Sequence, residues 1–172
     1  MRTVIFDLDG TLADTSADLI ASANACFRAM GAGDQLDPVA DALTAFHGGR
    51  AMLRLGLSRL GRPEAEADQW YQPLLEAYEA DIHRHTRLYP GAVAAVEALR
   101  TAGYAVGICT NKPARLAEVL TTCLGVRHLF DSLVGADTLP VRKPDPAPYA
   151  LSVRLAGGTM ARSMLIGDTE TD

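Results

Sequence analysis

From Tyr89-Pro90-Gly91 onward the chain alternates short apolar runs with stretches of helical spacing, and few folds are compatible with that grammar. Val93, Val96 and Leu99 predict a helix ended by Gly103, and Tyr104 to Cys109 predicts a strand running into Thr110-Asn111-Lys112. Leu116, Val119, Leu120 and Cys123 predict a helix stopped by Gly125, and Ser132 to Gly135 a short strand. Ala147 to Leu155 reads as a further helix and Ser163 to Ile166 as a further strand. Helices and strands in this order build an α/β fold with a doubly wound parallel, Rossmann-like sheet. Ligands of such sheets bind outside the carboxyl ends of the strands.

The chain opens on another such strand, Val4-Ile5-Phe6, which runs into Asp7-Leu8-Asp9-Gly10-Thr11. Strand side chains alternate with period two, so Asp7 and Asp9 leave the strand's end on the same side. Two carboxylates at one site repel unless a cation or a proton is shared, which makes the pair a natural place for Mg²⁺ and for two acids with separate tasks. Gly10 allows the tight exit that follows.

Between this strand and Tyr89 the pattern is helical. Leu19, Ala23, Phe27 and Met30 predict a helix over 15–31. Pro38 to Leu43, Arg50 to Leu60 and Pro63 to Ala80 also lack strand alternation, with Trp70, Leu74, Leu75 and Tyr78 as an apolar stripe. The expected organisation is a discontinuous α/β core, 1–14 and 84–172, interrupted by a helical insertion over 15–83. At 172 residues, 48% of them hydrophobic, one substantial core is affordable and two independent ones are marginal. A net charge of −5 gives no general attraction to nucleic acid or anionic membrane, and no run approaches the length of a membrane span. Three cysteines without a C-x-x-C pair imply buried thiols in a reducing compartment, with neither a disulfide framework nor a zinc site. The expectation is a cytoplasmic monomer or homodimer acting on a small molecule.

Four polar groups stand where segments leave the predicted sheet: Asp7 with Asp9, Thr110 with Asn111, Lys143, and Asp168 with Asp172. In type and order they resemble the four motifs of the haloacid dehalogenase-like hydrolase superfamily: Asp7-Leu8-Asp9-Gly10-Thr11, Thr110-Asn111-Lys112, Lys143-Pro144-Asp145-Pro146 and Gly167-Asp168-Thr169-Glu170-Thr171-Asp172. The resemblance implies phosphoryl transfer, with Asp7 as nucleophile and Asp9 as general acid, then base. It implies Mg²⁺ on Asp7, the Asp9 backbone carbonyl and Asp168, a phosphate cradle of Thr110, Asn111 and Lys143, and Asp172 orienting the lysine or metal waters. An acid two residues after the nucleophile suits an alkoxide leaving group, hence phosphate monoesters. The insertion resembles the helical cap of the phosphoglycolate phosphatase-like subgroup, which implies substrate contacts from His47, Gly49 and Arg50 in Phe46-His47-Gly48-Gly49-Arg50. Relatives continue beyond the last motif with a helix, a strand and usually a final helix. On that pattern C-terminal elements are missing and Met164 to Ile166 lies at or near a sheet edge.

Other readings stay open on the residues alone. The substrate is 2-phosphoglycolate by resemblance, with a sugar-phosphate phosphatase or a β-phosphoglucomutase-like phosphomutase as the alternative enzyme. A non-catalytic phospho-acceptor or binding module is the alternative of another class. Thr110 also reads as a helix cap and Arg50 as an exposed first-turn residue. Lys112 reads as structural or solvated, His83 and His85 as solvated hinge residues, Trp70 and Tyr78 as helical core, and Cys109 as a small buried hydrophobe.

Overall fold

The computed structural model describes residues 1–172 and divides into two compact units, Met1–Asp14 with Arg87–Asp172, and Thr15–Thr86. In the first, β1 (Thr3–Phe6), β4 (Ala105–Cys109), β5 (Ser132–Val134) and β6 (Ser163–Ile166) form one parallel sheet in the order β5-β4-β1-β6. β1 is central and every one of its residues is buried, as the apolar run Val4-Ile5-Phe6 in a parallel sheet demands. Its register sets Phe6 level with Ile108 on one side and Ile166 on the other, so the three strands end within one residue of one another. β6 lies at the sheet's edge, with Met164 and Ile166 exposed.

Three helices connect these strands: α5 (Ala92–Thr101), α6 (Ala114–Cys123) and α7 (Pro146–Leu155). Ile5, Val106, Ile108, Cys109, Leu116, Leu120 and Val153 are essentially inaccessible and make the core between sheet and helices. α7 begins as its sequence dictates: the Asp145 side chain accepts from the Ala147 N–H at 2.8 Å, and Pro146 occupies a first-turn position where no N–H is needed. Cys123, expected among the buried thiols, is exposed at the end of α6, whereas Cys26 and Cys109 are buried. Burial pushes the Cys109 thiol up to about 11, so it behaves as an inert apolar group.

The chain leaves this unit through β2 (Ala13–Asp14) and returns through β3 (Arg87–Leu88), which pair antiparallel. The second unit is all helical: α1 (Ser16–Ala29), α2 (Ala42–Phe46), α3 (Gly49–Arg59) and α4 (Ala67–Ala80). α1 and α3 both pack on α4, around Leu19, Ile20, Phe27, Met52, Leu53, Leu57, Leu74 and Tyr78. Gly56 brings α3 against the Phe27 ring, where a Cβ would stand 2.1 Å from it. No helix of the chain is long and apolar enough to cross a membrane.

Candidate active site

Because β1, β4 and β6 end within one residue of one another, the residues that follow them converge. Asp7 continues the ladder, its N–H donating to the Ile166 carbonyl at 2.8 Å, and is 8% exposed. The chain then turns sharply: the Gly10 N–H donates to the Ala13 carbonyl at 2.9 Å, with Gly10 at φ 84°. A side chain at Gly10 would be strained, and its Cβ would fall 2.2 Å from an Asp168 carboxylate oxygen. Glycine is therefore needed both for the turn and for the approach of the acid that follows β6. Thr11 completes that approach, its hydroxyl donating to Asp168 at 2.7 Å.

Lys143 is buried, its ammonium 3.0 Å from Asp7 and hydrogen-bonded to Asp172. Burial alone lowers the lysine's pKa, but the two carboxylates outweigh it and the net shift is upward. Asp172 also starts from a burial penalty, overcome by Lys143 and by the Thr169 N–H at 3.0 Å, so its carboxyl titrates low. Asp7 goes the other way. Burial raises it to about 6 against the pull of Lys143, with Asp9 and Asp172 adding to the rise. Three carboxylates, Asp7, Asp168 and Asp172, offer oxygens within 4.8 Å of one another. An all-oxygen donor set with a dehydrated carboxylate at its centre fits a hard divalent cation such as Mg²⁺.

The segment after β4 supplies the opposite wall. The Thr110 N–H donates to the Val134 carbonyl at 2.9 Å, and its buried hydroxyl accepts from the Lys112 N–H at 3.1 Å. Asn111 donates from Nδ2 to the Lys143 carbonyl at 3.0 Å, tying the second motif to the third, while its buried Oδ1 has no hydrogen-bond partner. Lys112 departs from the solvated reading: its side chain is 4% exposed and its ammonium lies 2.9 Å from Asp9. Thr11 and Lys112 are the contributors that sequence reasoning left without a task. Both lie inside recognised motifs, yet no periodicity says which acid either one faces.

In the helical unit His47 is exposed just after α2, and Gly49 opens α3. Arg50 is engaged: its Nε donates to Asp68 at 2.7 Å, and its guanidinium stacks 3.7 Å above the centre of the Tyr71 ring. His83 and His85 are exposed, and the His85 N–H donates to Asp18 at 2.9 Å.

Acids at the ends of two neighbouring parallel strands are thus set against two buried lysines. A family model described as haloacid dehalogenase-like hydrolase matches residues 1–172, and the chain belongs to that family. A phosphoglycolate phosphatase of Agrobacterium fabrum is 38% identical over 98% of this chain and 72% of its own length. One from Cereibacter sphaeroides is 36% identical over 100% and 78%. Among solved structures, a predicted phosphoglycolate phosphatase from Haemophilus somnus superposes with a TM-score of 0.85 at 25% identity, over 100% of this chain and 79% of that one. The chain is a phosphoric monoester hydrolase of the phosphoglycolate phosphatase-like subgroup.

Proposed function

We propose that the chain is an Mg²⁺-dependent phosphatase that hydrolyses 2-phosphoglycolate through an aspartyl phosphate on Asp7. The observation that carries this reading is the division of the two carboxylates after β1 between two buried lysines, Asp7 with Lys143 and Asp9 with Lys112. Neighbouring acids in separate environments suit separate roles. An Asp7 oxygen attacks phosphorus, the bond from phosphorus to the alcohol oxygen breaks, and Asp9 delivers a proton to the departing alkoxide. Water then attacks the phosphoryl group, Asp9 takes its proton, and the Asp7 carboxylate is released. Thr110, Asn111 and Lys143 hold the phosphoryl oxygens by hydroxyl, amide and ammonium donors. Mg²⁺ on Asp7, Asp168 and the Asp9 backbone carbonyl, with Asp172 alongside, would screen the repulsion between carboxylate and phosphate.

The choice of 2-phosphoglycolate is supported by the names of the relatives. The substrate contacts we assign to the helical unit are His47, Gly49 and Arg50, and Arg50 must exchange its Asp68 partner to make one. Incubation with a panel of phosphate esters and Mg²⁺ tests the reading. Release of free phosphate fastest from 2-phosphoglycolate, abolished in Asp7→Asn, is the expected result. Preference for a sugar phosphate, or transfer without free phosphate, overturns the substrate assignment, and undiminished hydrolysis by Asp7→Asn overturns the nucleophile.

A further inference from the structure

The site holds two buried lysines, and the mechanism above uses one. Lys143 meets Asp7 and Asp172, whereas Lys112 reaches Asp9 at 2.9 Å. Its placement is built rather than incidental. The Lys112 N–H donates to the Thr110 hydroxyl at 3.1 Å, and its carbonyl accepts from the Ala136 N–H at 3.0 Å, so the backbone is clamped on both sides before the side chain begins. The side chain is 4% exposed and that of Asp9 14% exposed. An ammonium removed from water at that depth is strongly destabilising unless a counter-charge meets it. Asp9 is that counter-charge. Conversely, an ion pair to a clamped lysine selects one orientation of the Asp9 carboxylate among the rotamers open to it.

We propose that Lys112 is the positioning residue of the acid–base step: it fixes the Asp9 carboxylate where the leaving oxygen and then the attacking water must find it. The proposal rests on Asp9 having the proton-transfer role assigned above. Proximity of a positioned acid is worth about 10²–10⁴-fold in rate, and a carboxyl that loses an orienting partner forfeits part of that. The forfeit is selective. An alkyl phosphate cannot release its alkoxide without a proton, whereas p-nitrophenyl phosphate releases a stable phenolate unaided. A lysine that bound the phosphoryl group would serve both esters alike.

The test compares kcat/KM, which reports the steps up to departure of the alcohol, for 2-phosphoglycolate and p-nitrophenyl phosphate with Mg²⁺. The enzymes are wild type, Asp9→Asn, Lys112→Met and the double variant. Lys112→Met is expected to lose about tenfold or more on the alkyl ester and less than about threefold on the aryl ester. Asp9→Asn shows the same split more steeply, and adding Lys112→Met to it changes neither ester further. Equal losses on both esters, a further loss in the double variant, or full activity of Lys112→Met overturns the proposal. Should Lys112→Met fail to fold, the double variant, which buries no unpaired charge, still gives the answer against Asp9→Asn. Melting temperatures add a readout independent of turnover: the double variant is expected to melt above Lys112→Met, and additive losses would mean that the pair does not exist in solution. A wild-type chain inert on both esters overturns the parent reading and this one with it. An active wild type whose Asp9→Asn variant shows no split overturns only the role of Asp9 and what rests on it.

Discussion

Asp7 is the residue at which the site's needs and the fold's stability collide. Its carboxyl is raised to about 6 by burial, against the pull of Lys143, from an ordinary 3.8. Between those two values the folded chain holds a proton that the unfolded chain has lost. The unfolded state binds fewer protons over that window, so stability falls as pH rises from about 4 to about 6 and stays lower above it. The contribution is on the order of 3 kcal/mol at the 1.36 kcal/mol per unit of linkage. Asp7→Asn has no such titration. In chelator, the stability of Asp7→Asn relative to wild type is therefore expected to grow by about that amount between pH 4 and pH 7, measured by denaturant unfolding at both. Excess Mg²⁺ is expected to reverse the order at pH 7, because a cation stabilises only the ionised form. Parallel pH profiles for the two proteins would show that the carboxyl is not desolvated as the structure has it.

α1 depends on one contact more than its propensity suggests. Asp18, buried in its first turn, accepts from the His85 N–H at 2.9 Å, the Thr86 N–H at 2.8 Å and the Thr86 hydroxyl at 2.7 Å. These bonds fasten the start of the helical unit to its end. Asp18→Ala strands buried donors and is expected to cost about 2–4 kcal/mol, read as a lower denaturation midpoint with unchanged slope. The same scale shows what was legible in the chain. β1 and β4 were readable because buried parallel strands are continuous apolar runs, β6 because Met164 to Ile166 is such a run even at the exposed edge, and the acids because they follow those runs closely. β2 and β3 were not, since two residues show no alternation. The helix expected over Pro38 to Leu43 begins only at Ala42, because the Asp37 side chain accepts from the N–H groups of Val39 and Ala40, at 2.8 and 2.7 Å, and holds a turn there. Of the two readings of Lys112, structural or solvated, the sequence could not choose the buried one for a related reason. A lysine in a loop looks solvated until the loop is seen lying against the end of β1, with Asp9 as its partner.

At the scale of the whole molecule, the two units differ in how the chain reaches them. Thr15–Thr86 is continuous, whereas the sheet unit is assembled from Met1–Asp14 and Arg87–Asp172. β1 pairs only with strands from the far side of the insertion, so the sheet cannot form its centre until the chain between has been looped out. Loop-closure cost grows only as about (3/2)RT ln n, and it falls further if the insertion is already compact. The helical unit has what that requires: its own core around Phe27, Leu53, Leu57 and Leu74, and the Asp18 contacts joining its ends. The fragment 15–86 is therefore expected to fold alone, with helical circular dichroism and a cooperative melt, though with modest stability for its size. The carboxylates that suit a metal all lie in the other unit. Mg²⁺ at about 100 times its dissociation constant should then stabilise the sheet unit by about 2.7 kcal/mol, and raise the melting temperature of the whole chain while leaving that of the fragment unmoved. Calorimetry on both, with and without Mg²⁺, reads the difference directly. A fragment that stays unfolded would mean that the insertion takes its structure from the rest of the chain, and a fragment that responds to Mg²⁺ would move the metal site out of the acids at the strand ends.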